Sequence, residues 1–204
     1  MIPTLPVNSL FGRVLGVVLA GGNSTRMGVD KSTLRHPDGG TFLQHAIQRL
    51  RRVTGQVAVS VGECGDIACT SRDLRVIPDL HRDLGPAMAL HSVLSFAIAE
   101  KFDAVLVTPV DMPDLTSTHL AELLDNASSD NAAHDRPTCA LTQDGRPHPM
   151  VCVYPTTLAR EVAEVAHSDH RSLHRWLLTT PYRGMSLPPA ALRNVNTPDQ
   201  LHPL

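Results

Sequence analysis

An apolar run, Val14-Leu15-Gly16-Val17-Val18, leads directly into Leu19-Ala20-Gly21-Gly22-Asn23-Ser24-Thr25-Arg26-Met27-Gly28-Val29-Asp30-Lys31. This is a buried strand running into a glycine-rich loop that carries two cations. Glycines let backbone N–H groups approach phosphate oxygens closely, and Arg26 and Lys31 add positive charge, so the loop suits a polyphosphate. The spacing excludes two commoner phosphate loops. A Walker A loop needs Gly-Lys-Ser/Thr in succession, but Val29 and Asp30 separate Gly28 from Lys31. The dinucleotide fingerprint G-x-G-x-x-G is absent because Gly21 and Gly22 are adjacent.

The chain of 204 residues is long enough to bury a sizeable core, and 42% hydrophobic residues support a globular protein. Aromatic residues make up only 3%, so the core is aliphatic and base-stacking platforms are not expected. A net charge of −2, with basic residues clustered only in short pairs such as Arg51-Arg52, argues against a nucleic-acid polymer as partner. The cysteines Cys64, Cys69, Cys139 and Cys152 contain no C-x-x-C pair and no zinc spacing. Reduced thiols in a cytoplasmic protein are the expectation, with Cys139 and Cys152 acting as small hydrophobes in strands. Arg13 followed by Val14 to Ala20 has the outline of a signal peptide. Its apolar run is only seven residues, though, and Arg26 and Lys31 follow in a loop with a better explanation. No stretch is long enough to span a membrane.

Periodicity predicts a loose arm over 1–12 and a strand over Val14–Ala20. A helix follows over Phe42–Val53, then strands over Gln56–Val61 and Arg75–Ile77. Pro86–Ala99 reads as a helix entered through Gly85-Pro86, with proline in the first turn. Asp103–Val110 is the most apolar strand, and Thr116–Asn126 a helix with a hydroxyl N-cap. Strands over Thr138–Thr142 and Met150–Tyr154 flank the Asp144-Gly145 turn. Helices over Pro155–His167 and Ser172–Thr179, a late strand or strand end at Arg193–Asn196 and a final short helix from Thr197 complete the chain.

Strand and helix alternate through the first 126 residues. The expected fold is therefore α/β: three layers, α/β/α, around a mostly parallel, Rossmann-like sheet with a small antiparallel addition. Residues 13–204 are expected to form one domain, with a nucleotide half over about 13–115 and an acceptor half over about 116–204. In such sheets ligands sit beyond the carboxyl ends of the strands. The glycine loop, Pro78-Asp79 and Pro109-Val110-Asp111-Met112-Pro113 all fall there. A carboxylate at the end of a buried strand, as Asp111 is, can hold Mg2+ between substrate phosphates or cap the turn into the next helix. His148 lies between Pro147 and Pro149, where it can be a loop histidine or a ligand contact. Alternation points Asn194 and Asn196 the same way, and the same segment can serve as a helix entry at Thr197-Pro198. His170 and His174 have i, i+4 spacing but no third ligand at a telling distance.

The pattern L-A-G-G-x-S-x-R-M-G-x-D-K closely resembles the signature loop of the nucleotidyltransferases with a nucleoside-diphospho-sugar transferase fold. Among them it looks most like the molybdenum cofactor guanylyltransferases. The resemblance runs from Val14 to about His202 and includes V-x-P-x-D-M-P around Asp111 and N-x-N-T-P at Asn194–Pro198. It implies that Leu19, Ala20, Gly21, Gly22, Ser24, Arg26, Lys31, Asp79, Gly85 and Asp111 line the nucleotide. Lys31, Arg26 and Asp111 would carry the catalysis, with Mg2+ on Asp111. Asp79 would lie near the base, where one carboxylate accepts both N1–H and the N2 amino group of guanine, a pair that cytosine lacks. His148, Asn194 and Asn196 would face the acceptor.

The implied reaction transfers GMP from GTP to the terminal phosphate of molybdopterin, or of the molybdenum cofactor, and releases pyrophosphate. A phosphomonoester has a second pKa of about 6, so this nucleophile needs no general base at neutral pH. The resemblance also implies transient contact with molybdenum cofactor delivery proteins and molybdoenzymes. Two positions depart from the family pattern. Ala89 stands where glycine is usual, and Gly62 where asparagine is frequent. A cytidylyltransferase on the same cofactor, or another small nucleotidyltransferase sharing the loop, is the nearest rival. A non-catalytic nucleotide-binding regulator would bind its ligand without needing both Lys31 and Asp111.

Overall fold

A computed structural model describes residues 12–20, 35–61, 74–81, 85–129 and 135–195. Seven strands form one sheet: β1 (Val14–Leu19), β2 (Gln56–Val61), β3 (Arg75–Pro78), β4 (Ala104–Pro109), β5 (Thr138–Leu141), β6 (Pro147–Pro155) and β7 (Arg183–Ser186). Their order is β3-β2-β1-β4-β6-β5-β7. Strands β1 to β4 pair parallel, as do β5 and β7, and β6 runs antiparallel between β4 and β5. The expected antiparallel addition is therefore a single reversed strand built into the main sheet.

Helices α1 (Phe42–Arg51) and α3 (Ser117–Ser128) cover one face. Helices α2 (Pro86–Ala99), α4 (Ala159–His167) and α5 (Leu173–Thr179) cover the other. Both interior strands β1 and β4 alternate between the two cores. Val18, Ala104 and Leu106 pack under α1 and α3, whereas Leu15, Val17, Val105 and Val107 pack under α2 and α4. This is the near-continuous apolar pattern of strands buried on both faces.

Local chemistry sets the boundaries. Helix α1 begins in a capping box: the Gln44 N–H donates to Thr41 Oγ1 (3.2 Å) and the Thr41 N–H to Gln44 Oε1 (2.8 Å). Its apolar stripe Phe42, Leu43, Ala46, Ile47 and Leu50 is buried. Gly16 in β1 is required by close approach: a Cβ there would run into Thr54 Oγ1 and lie 3.3 Å from Leu50 Cβ. That Thr54 hydroxyl closes the turn from α1 into β2, within 3.2 Å of the Leu50 carbonyl and 3.1 Å of the Gln56 carbonyl.

Three expectations need correction. Pro155 ends β6 instead of starting a helix, and a 3-10 turn (Thr156–Leu158) precedes α4. Strand β6 starts at Pro147, three residues earlier than its apolar core suggests. Prolines are tolerated there because the ladder to β4 runs only over Cys152–Pro155 and the pairing with β5 shifts register. Arg193–Val195 is not a strand; the late strand is β7, which has no apolar alternation to signal it. It is held instead by its parallel ladder to β5 and by Leu141, which packs where a side chain on Gly184 would otherwise sit. His170 precedes α5, whose N-cap is Ser172, so His170 and His174 do not share one helix face.

Cys139 and Cys152 are fully buried and directly opposed, with their sulfurs 2.7 Å apart. Both thiols are free. Among the described residues no helix is long and apolar enough to cross a membrane. The N-terminal arm, Cys64, Cys69 and the helix expected from Thr197 lie outside the described residues.

Candidate active site

The sheet has its switch point between β1 and β4. From β1 the chain returns through α1 on one face to β2, while β3 is followed by α2 on the opposite face and then β4. The carboxyl ends of β1 and β4 are thus left with a crevice between diverging connections, the place where open α/β sheets take ligands. Leu19 and Ala20 stand at this point. Leu19 pairs with Ser60 on one side and Pro109 on the other, and the Ala20 N–H donates to the Ser60 carbonyl (2.9 Å). Gly21, Gly22, Ser24, Arg26 and Lys31 follow directly in sequence and lie outside the described residues.

Asp79 follows β3. Its N–H donates to the Val61 carbonyl (3.3 Å), and the next residue is tied to α2 by the Leu80 N–H donating to Ser92 Oγ (2.8 Å). The Ser92 hydroxyl in turn donates to the Met88 carbonyl (2.9 Å). The carboxylate held there has a buried oxygen, Oδ1, with no hydrogen-bond partner among the described residues. Burial pushes its pKa up from 3.8 to about 6. Gly85 caps α2 with φ 75° and ψ −169°, a conformation reserved for glycine, and Pro86 follows at the first helical position. Three strand spacings separate β3 from β4, about 14 Å, a span over which a nucleotide can lie.

Asp111 follows β4, two residues beyond Pro109. Continuing the β4–β6 register (Val107↔Cys152) by four residues sets His148 opposite Asp111. The Asp111 charge acts on His148, drawing its pKa upward, but burial dominates and holds the imidazole below its ordinary value, so it is neutral at pH 7. His148 Nδ1 is buried without a hydrogen-bond partner among the described residues.

The segment Arg193–Val195 closes the same corner. The Val195 N–H donates to the Asp111 carbonyl (2.8 Å), and Val195 itself is buried. Exposed Asn194 therefore sits beside Asp111; Asn196 lies outside the described residues. The structure brings together Leu19, Ala20, Asp111, His148 and Asn194. It sets Asp79 and Gly85 at the far side of the crevice.

Sequence reading passed over Ser60, which is 1% exposed and whose hydroxyl has no partner among the described residues. Its signal was a hydroxyl interrupting the apolar run Val57-Ala58-Val59 at the end of a strand. Arg49, Asp114 and Arg193 were also missed, because pairs 79 and 64 residues apart leave no local pattern. Among the described residues, no group of three or more His, Cys, Asp or Glu side chains could hold a metal ion. An ion at Asp111 would need oxygens from the substrate as well.

Residues 16–182 match the family model of the MobA-like NTP transferase domain. A Rhodopirellula baltica protein described as a probable molybdenum cofactor guanylyltransferase is 38% identical over 197 residues, covering 93% of this chain and 90% of its own. Among solved structures, molybdopterin-guanine dinucleotide biosynthesis protein A from Archaeoglobus fulgidus superposes with a TM-score of 0.68 at 18% identity, over 92% of this chain and 94% of that one. A Mycobacterium tuberculosis protein in complex with manganese superposes with a TM-score of 0.60 at 20% identity, over 86% and 88%.

Proposed function

Since the chain belongs to the MobA-like NTP transferase family and is a nucleotidyltransferase, we propose that it moves GMP from GTP to the terminal phosphate of molybdopterin or the molybdenum cofactor, releasing pyrophosphate. The observation that carries the choice of guanine is Asp79. Its half-buried carboxylate has an oxygen, Oδ1, without a partner among the described residues, and guanine presents two adjacent N–H donors suited to a carboxylate. Cytosine offers only one amino group on that edge and supplies one hydrogen bond where guanine supplies two.

The chemistry divides between the two ends of the crevice. At the phosphate end, backbone N–H groups of Gly21 and Gly22, the Ser24 hydroxyl, Arg26 and Lys31 hold the triphosphate and the charge that develops on the leaving pyrophosphate. Asp111 would hold Mg2+, a cation that binds through one or two carboxylates plus substrate phosphates. When bound, the ion neutralises phosphate charge; a related fold takes manganese. At the acceptor end, His148, neutral and one residue from either proline, and Asn194 with Asn196 offer uncharged hydrogen-bonding groups to a polar ring or its phosphate. The nucleophile arrives largely deprotonated, so catalysis rests on alignment and charge neutralisation. The nucleotide half spans about residues 13–115 and the acceptor half about 116–204. The protein acts in the cytoplasm and meets molybdenum cofactor delivery proteins and molybdoenzymes transiently.

Thermal-shift titration against GTP, CTP, ATP and UTP with Mg2+ tests the base assignment. GTP is expected to stabilise most, by about 2.7 kcal/mol at 100 times its dissociation constant. Greater stabilisation by CTP at equal concentration would replace the guanylyl reading with the cytidylyl one.

A further inference from the structure

We infer that Arg49, Asp114 and Arg193 form a clamp that positions Asp111, so that three side chains outside the crevice set how well the site holds its cation. The inference rests on Asp111 being the cation-binding carboxylate.

The turn after β4 runs through Asp111, Met112, Pro113 and Asp114. Pro113 has no N–H to donate, and the Leu115 N–H to Met112 carbonyl bond is long at 3.4 Å. Its fixed points come from elsewhere in the chain. From α1, Arg49 Nη1 donates to the Pro113 carbonyl at 2.8 Å. From the last described segment, Arg193 Nη2 and Nε both donate to Asp114 Oδ2, at 2.8 Å and 3.2 Å. Two residues on, the Val195 N–H donates to the carbonyl of Asp111 itself.

These contacts are not interchangeable surface pairs. Arg49 is half-buried, and desolvation lowers its pKa to about 10 against the opposing pull of Asp114, so it remains a cation at neutral pH. A desolvated guanidinium is costly unless its bonds are made, which fixes the Pro113 carbonyl in one place. Asp114 thus faces cations from two elements, Arg49 on α1 and Arg193 at the acceptor side. The turn is gripped from both ends of the chain. A carboxylate serving a cation must be held within a fraction of an ångström, and a displacement of about 1 Å can cost as much as 100-fold. The same grip ties Asn194, between two of the anchoring residues, to the position of Asp111.

The test is calorimetric GTP affinity with Mg2+ and with EDTA, the ratio giving the metal-dependent gain. Asp111→Asn serves as reference and should abolish that gain. Asp114→Asn, Arg193→Gln and Arg49→Met should each lower it about tenfold while leaving the affinity in EDTA unchanged. Arg49→Lys, which keeps the charge and one donor, should fall between Arg49→Met and wild type. Asp114 and Arg193 side chains are each 41% exposed, so their variants keep the fold and carry the test even where Arg49→Met does not fold. A full gain in Asp114→Asn and Arg193→Gln, with loss in Asp111→Asn, overturns the clamp and leaves the role of Asp111 standing. An undiminished gain in Asp111→Asn itself overturns both.

Discussion

Asp111→Asn and Lys31→Ala each lower GTP-dependent pyrophosphate release in the presence of molybdopterin by on the order of 100-fold or more, with the fold retained. Asp111 lies in the turn beyond a strand buried on both faces, where its carboxylate is outside the aliphatic core. Removing its charge leaves Val105, Leu106 and Val107 packed as before. On the proposed function, Lys31 would supply positive charge to the leaving pyrophosphate. A nucleophile that needs no base leaves the reaction dependent on these fixed charges, so losing one has no substitute. Steady-state release of pyrophosphate, with circular dichroism as the folding control, measures the effect. Near-normal turnover in either variant would place the chemistry elsewhere.

Asp79→Asn carries two effects of opposite sign. It lowers GTP affinity about 30–100-fold, the loss expected when a charged acceptor of two hydrogen bonds becomes neutral. It also stabilises the ligand-free protein at pH 7. An acid whose folded-state pKa lies above its unfolded one binds its proton more tightly when folded. The stability it contributes is full below its ordinary value of 3.8 and is lost as pH rises to about 6. At pH 7 wild type therefore carries the cost of a buried carboxylate, and the amide removes it. The gain is on the order of 1 kcal/mol, or roughly 2–4 °C in Tm for a chain of this size. The same pKa dictates a pH profile. GTP affinity of wild type is flat above about pH 6 and falls below it as Asp79 protonates, a slope that Asp79→Asn lacks. Titration calorimetry from pH 5 to 8 on both proteins, beside their melting curves, checks all three consequences. Weaker binding together with lower stability would mean that Asp79 is a structural residue.

Much of this architecture was legible because the interior strands carry their own signal. Val14–Leu19 and Ala104–Pro109 are apolar throughout, and a strand buried on both faces has no other way to be written. Helix α2 was delimited to the residue because Gly85-Pro86 marks its start. What escaped was structure made by partners far away. Arg183–Ser186 is a strand because β5 offers it a ladder, and nothing in Arg-Gly-Met-Ser announces that. Pro147–Pro149 extends β6 against the usual meaning of proline because the neighbouring ladder has already ended there. The site followed the same division. Asp79 and Asp111 follow strand ends, and the glycine loop follows β1 in sequence, where an apolar run stops at a charged or glycine residue. Which residues converge on the turn that carries Asp111 was not readable, because His148, Arg49 and Val195 reach that turn through antiparallel register, helix packing and a returning backbone. The buried, unpaired state of Asp79 was equally invisible, since it depends on how α2 closes over the turn.

The most direct measurement incubates the purified protein with molybdopterin, Mg2+ and an equimolar mixture of GTP and CTP, and resolves the pterin products by mass spectrometry. The account predicts the guanine dinucleotide as the dominant product, formed one-to-one with pyrophosphate. A cytosine dinucleotide as the main product, or nucleotide binding with neither dinucleotide formed, would contradict it.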